Sequence, residues 1–266
     1  MPEVKKNTHR TTATVATKGT NTTTPDATRV LSLLKLRATT TSTTLGSHWI
    51  PALPQAKLSV PPLPPPEDRV KIMIVGATGT IGSAVAQALE EAGHAVLRVG
   101  HSGGDHRVDL ADRASVDALY DVVGTVDAVV STAGIARFGP FAELTDEDYD
   151  FSLRHKLMGN VNLIRAGLDR VPQGGSFTLT TGNLTHDPIP GGAVASMVGG
   201  AMESYVKAAA LEVEGRYRVN AVSPGWVKET MEKLGMDSTS GISAAELAGY
   251  YAAVVEGSDT GVIVQP

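Results

Sequence analysis

The stretch Val75-Gly-Ala-Thr-Gly-Thr-Ile-Gly82 places glycines at 76, 79 and 82 between an apolar run and a helical pattern. Upstream, Val70-Lys-Ile-Met-Ile-Val75 has the branched, apolar content of a strand buried on both faces. Downstream, Ala84, Val85, Ala88 and Leu89 recur at helical spacing up to Ala92-Gly93, where the glycine is a helix stop. A strand, a glycine turn and a helix in that order make a phosphate cradle. Glycine lets backbone N–H groups approach a pyrophosphate, and the helix N-terminus adds positive dipole. Gly76, Thr78, Gly79, Thr80, Ile81 and Gly82 are therefore the candidate residues for holding a dinucleotide. The spacing alone also fits a β-α turn that binds nothing, so the rest of the chain decides.

From Val70 onward the pattern alternates strand and helix with short joints. Strands are predicted at 71–76, 95–100, 106–109, 126–131, 176–181, 218–223 and 261–265, and helices at 80–92, 113–123, 144–170, 193–214 and 243–256. Such alternation builds a Rossmann-type, doubly wound parallel sheet covered on both faces. Asp112 is positioned to cap one helix, and Thr145 with Asp148 to cap the long one. Before Val70 the composition changes. Thr fills 15 of the first 45 positions, and Pro61-Pro-Leu-Pro-Pro-Pro66 closes the segment. Residues 1–69 are thus read as a disordered Thr/Pro-rich extension and 70–266 as one domain. Within the extension, Arg29-Val-Leu-Ser-Leu-Leu-Lys-Leu-Arg37 is a basic amphipathic island with the flavour of an organelle transit peptide. A non-functional extension on a cytoplasmic protein is the favoured alternative.

Several partner classes are set aside by composition. No run approaches the ~18 apolar residues of a membrane span. Cys is absent, which removes disulfides, thiolate nucleophiles and Cys-based metal sites together. His, Asp and Glu show no ligand spacing, so no metal is expected. Net charge is −5, but residues 1–69 carry nine Lys/Arg against four Asp/Glu, leaving 14 against 24 in the domain. An acidic body is a poor nucleic-acid surface.

With these elements placed, residues 71–266 resemble the short-chain dehydrogenase/reductase family in four separate features. One is the Gly76/Gly79/Gly82 turn. Asp109, in Val108-Asp-Leu110, stands where the family accepts a hydrogen bond from the adenine amino group. Ser131-Thr-Ala-Gly134 stands where the family has Asn-Asn-Ala-Gly, and the resemblance implies that Ser131, Ala133 and Gly134 pack beside the adenosine half. Arg218-Val-Asn-Ala-Val-Ser-Pro-Gly225 supplies a Pro224-Gly225 bend, and with Val227 it implies a seat for the nicotinamide carboxamide. At the end of the second strand an acidic residue would hydrogen-bond the adenosine ribose and select NAD. Here the end is Val99-Gly-His-Ser102, so His101 and Ser102 favour NADP, with NAD remaining possible. The family also implies a homo-oligomer, with Ala208-Ala-Ala210 as a close-packing face.

The family's active site uses a Tyr acid, a Lys four residues later that lowers its pKa, a Ser that holds the substrate oxygen, and an Asn that positions water. None of the six tyrosines, at 120, 149, 205, 217, 250 and 251, has a Lys four residues on. Matched to the family, Ala195 stands at the Tyr position and Gly199 at the Lys position, while Thr181 keeps a hydroxyl at the Ser position and Lys156 replaces the Asn. Tyr205 and Lys207 point to nearly opposite sides of a helix. Two functions stay open. The favoured one is an NADP-dependent oxidoreductase of a small carbonyl or alcohol, with Lys156, Thr181 and His186 lining the pocket. The other is a catalytically silent dinucleotide-binding sensor or scaffold. Trp226, Met231 and Met236 in the lid segment 226–242 are candidates for contact with an apolar ligand.

Overall fold

A computed structural model of the chain describes residues 69–266. The expectations for the extension, including the basic island, fall on residues 1–68 and lie outside the described residues.

Strands β1 (Lys71–Val75), β2 (Ala95–Gly100), β3 (His106–Arg107), β4 (Ala128–Ser131), β5 (Ser176–Thr180), β6 (Arg218–Val222) and β7 (Ile263–Val264) follow the predicted order. They form one sheet, β3-β2-β1-β4-β5-β6-β7, in which every neighbouring pair is parallel. The chain winds outward from β1 to β3 and returns to β4, so a crevice opens above the carboxyl ends of β1 and β4, where a doubly wound sheet binds its ligand. Helices α1 (Thr80–Glu91), α2 (Arg113–Val123), α3 (Asp146–Ser152), α4 (Gly159–Gly167), α5 (Ala193–Glu212), α6 (Lys228–Lys233) and α7 (Ala244–Glu256) complete the fold.

The alternation of side chains along β1 explains its unbroken apolar run. Ile72 and Ile74 enter a cluster with Val85 and Leu89 of α1 and Leu247 and Tyr251 of α7. Met73 and Val75 enter the opposite cluster, with Leu119 of α2, Leu163 of α4, and Met202 and Val206 of α5. Both faces of the sheet are therefore core, and each such side chain contributes about 1.5–3 kcal/mol by leaving water. Asp112 caps α2 by accepting from the Ala114 amide at 2.9 Å. Thr145 and Asp148 form a reciprocal capping box at the start of α3.

The long helix predicted over 144–170 is not continuous. Leu153–Met158 is a π-helical turn between α3 and α4, in which the Gly159 amide reaches back to the Arg154 carbonyl. Asn160 Nδ2 donates to the Lys156 carbonyl at 2.7 Å, so that acceptor stays satisfied across the irregular turn. The lid segment also holds more structure than its sequence suggests. Val227 bridges Ile242 in parallel, and α6 lies between them.

Candidate active site

The glycine turn is held by backbone alone. Gly76 and Ala77 amides both reach the Val99 carbonyl, at 2.8 and 3.1 Å, and the Gly79 amide reaches the Gly76 carbonyl at 3.0 Å. Gly76 has φ +92, and a Cβ there would lie 2.7 Å from Thr132 Oγ1. At Gly82 a Cβ would lie only 2.1 Å from the Gly76 carbonyl oxygen, so α1 is seated directly on the turn. Helix α1 starts at Thr80 with no side-chain cap and no acidic residue in its first turn. Its N-terminal amides and dipole are thus left for an anion, which is the arrangement a dinucleotide diphosphate fits. Lys233 of α6, not singled out in the sequence, donates from Nζ to Thr80 Oγ1 at 2.7 Å and adds a cation at the cradle. No local pattern reveals it, because the two residues are 153 positions apart.

The other expected cofactor residues are only partly brought together. Ile81, Gly134, Pro224, Gly225 and Val227 line a cleft of about 700 Å³, together with Thr132. His101 and Ser102 are exposed just beyond β2. Gly100 brings that strand end against the turn, since a Cβ there would lie 2.9 Å from Thr78 Oγ1. Asp109 commits one carboxylate oxygen to the Ala111 amide at 2.9 Å. Ser131 is fully buried at the end of β4, and its hydroxyl has no partner among the described residues. Ala133 lends its carbonyl to Asn160 Nδ2 at 3.4 Å.

Lys156 and Thr181 do converge, lining the 700 Å³ cleft with Ala195 and Gly199. The π turn carries Lys156 against Gly134, where a Cβ would lie 2.8 Å from Lys156 Cδ. Only a residue without a Cβ leaves room for that aliphatic stem, and the positive φ of +105 favours glycine there as well. Lys156 Nζ has no hydrogen-bond or ion-pair partner among the described residues, and burial pushes its pKa down from 10.5 to about 8. The 3-10 turn Asn183–Thr185 presses on α5, and a Cβ on Gly199 would lie 2.7 Å from Thr185 Oγ1.

Three sequence expectations need correction. His186 does not line the cleft; its Nε2 pairs with Glu203 Oε2 at 2.9 Å behind Thr181. Of the lid side chains, Trp226 lines the cleft, Met231 is buried in the body and Met236 is exposed away from the cleft. Ala209 and Ala210 are buried in the chain's own core, which leaves only Ala208 of the supposed packing face exposed. Glu203 itself was overlooked. It lies one helical turn beyond Gly199, is 3% exposed, and accepts from Thr181 Oγ1 at 3.2 Å and Ser223 Oγ at 3.0 Å. Its apolar neighbours Met202 and Val206 signal a buried helix face, but nothing local shows that the acid joins them.

Similarity to known proteins follows the same geometry. The family model described as enoyl-(acyl carrier protein) reductase matches residues 76–248. Versicolorin reductase 1 of Aspergillus parasiticus is 30% identical over 183 residues, 60% of this chain and 70% of that one. Carbonyl reductase [NADPH] 2 of Sus scrofa is 30% identical over 181 residues, 61% of this chain and 73% of that one. Among solved structures, a Listeria innocua protein is 40% identical with a TM-score of 0.71, covering 74% of this chain and 98% of its own. A small-chain dehydrogenase in complex with NADPH is 26% identical with a TM-score of 0.66, over 75% of this chain and 97% of that one. The parallel sheet, the glycine cradle at its switch point and the matched stretch together place this chain in the short-chain dehydrogenase/reductase family of oxidoreductases.

Proposed function

We propose that the protein reduces a small carbonyl compound, or oxidises the corresponding alcohol, with NADP as cofactor and Lys156 in place of the family's Tyr and Lys. The observation that carries this is the position of Lys156: a cation with no partner among the described residues opens on the cleft that Ala195 and Gly199 leave without a titratable group. When bound, the cofactor supplies a hydride to the carbonyl carbon. The Lys156 ammonium hydrogen-bonds the carbonyl oxygen, stabilises the negative charge that develops there, and gives it a proton. The neutral amine then takes a proton from water. A pKa near 8 leaves most of the side chain protonated at neutral pH while weakening its hold on the proton, as a general acid requires.

NADP is favoured over NAD because the exposed end of β2 offers His101 and Ser102 and no carboxylate to repel a 2′-phosphate. The NADPH complex of a 26% identical neighbour and the carbonyl reductase relative support the same choice. An apolar wall of Phe138, Leu184, Val198, Trp226 and Leu234 suits a substrate with a hydrocarbon or aromatic body. Calorimetric titration with NADPH and NADH tests the cofactor assignment, and loss of NADPH fluorescence against a panel of carbonyl compounds tests the chemistry. Uptake of neither dinucleotide at millimolar concentration contradicts the assignment.

A further inference from the structure

Glu203 determines what Thr181 can do. Two hydroxyls donate to its carboxylate, Thr181 and Ser223 to Oε1 at 3.2 and 3.0 Å, and Oε2 lies 2.9 Å from His186 Nε2. The Thr181 hydroxyl has one proton and donates it to Glu203 Oε1 at 3.2 Å, so that proton is committed to Glu203. What Thr181 offers the cleft is a lone pair. The same logic applies to its neighbours. Thr180 gives its proton to the Ser131 carbonyl at 2.7 Å and therefore accepts from Tyr251, while Thr132 donates to the Val75 carbonyl at 3.3 Å. Lys156 Nζ does not engage Thr181. Beside Asn183 and Thr230, which also line it, the cleft thus presents a donor on Lys156 and an acceptor on Thr181.

We infer that the substrate is a hydroxycarbonyl compound, its carbonyl oxygen facing Lys156 and a hydroxyl of the same molecule donating to Thr181, with Glu203 as the positioning residue that fixes Thr181 as acceptor; an α-hydroxyketone is the simplest such compound. This rests on the proposed oxidoreductase function and narrows its substrate class. The hydroxyl group is what separates a true ligand from an isostere, because a methyl group in its place leaves the Thr181 lone pair facing hydrocarbon.

The test uses two ketones of equal size, 2-hydroxyacetophenone and propiophenone, titrated calorimetrically into the NADP⁺-loaded full-length protein. The hydroxyketone is expected to bind about tenfold more tightly, the worth of one hydrogen bond. In Thr181→Val, which keeps the shape and removes the acceptor, the two affinities converge. In Glu203→Gln the carboxamide oxygen keeps His186 and its NH₂ donates to Thr181 and Ser223. The Thr181 proton is then released toward the cleft, and the preference for the hydroxyketone disappears or reverses. A purely structural role for Glu203 would weaken both ketones alike and leave their ratio unchanged. Equal affinities in the wild type, binding of neither ketone, or a preference that survives Thr181→Val overturns the inference while leaving the proposed function standing if NADP⁺ is taken up. Failure to take up NADP⁺ overturns both.

Discussion

The glycines of the turn are not equivalent, and Gly79 and Gly82 predict different defects. Gly79 has φ −84, and a Cβ there meets only the Gly76 carbonyl oxygen at 3.3 Å. Gly79→Asp should therefore fold, yet place a carboxylate at the helix N-terminus and abolish dinucleotide binding; calorimetry beside a thermal melt checks both halves. Gly82→Ala meets that carbonyl at 2.1 Å and should cost about 1–3 kcal/mol of stability by overpacking, seen as a lowered urea midpoint. Lys156 is the titratable group with most at stake. Its folded pKa, about 8, lies below its ordinary 10.5, so between those pH values the unfolded chain binds more protons and wild-type stability rises with pH. Below pH 8 the full cost of holding the charge out of water is present. Lys156→Met should accordingly be the more stable protein at pH 7, by up to about 3 kcal/mol reduced by whatever water the ammonium retains, and the margin should close by pH 10.5. Denaturant melts across that range check the sign.

At the scale of elements, the π turn connects fold to site. It inserts an extra residue into what would be one long helix, and the Lys156 side chain thereby lies over Gly134. Asn160 stabilises the arrangement through the carbonyls of Lys156 and Ala133. Asn160→Ala should cost about 1–3 kcal/mol by leaving buried acceptors unpaired. Chemical denaturation gives that figure directly. The strand order, the helix starts at Asp112 and Thr145, and the cofactor cradle were legible in the sequence because each depends on local spacing or capping chemistry. The π turn was not, since the apolar positions on either side, such as Leu163 and Ile164, keep a helical period. Glu203 and Lys233 were invisible for a different reason. Their partners, Thr181, Ser223 and His186 in one case and Thr80 in the other, are brought near only when strand ends and the lid come together. The convergence of Lys156 with Thr181 was legible only through the resemblance to the family.

For the molecule as a whole, the proposed function divides the crevice above β1 and β4 into a cofactor half built on backbone and a substrate half built on few polar groups. The proposed choice of NADP rests on the end of β2. His101→Asp should shift preference from NADPH toward NADH, read as the ratio of the two dissociation constants. An unchanged ratio would place the 2′-phosphate elsewhere. No helix among the described residues is long and apolar enough to cross a membrane. The central claim is that this chain transfers hydride with Lys156 as its acid. It is tested most directly by the pH dependence of NADPH consumption with 2-hydroxyacetophenone, for the wild type and Lys156→Met side by side. The wild type should turn over at neutral pH and slow as pH rises through about 8, where the ammonium is lost, while the variant binds NADPH and stays inactive throughout. Equal turnover by a folded Lys156→Met protein, or a wild-type rate that rises through pH 8, would contradict the account.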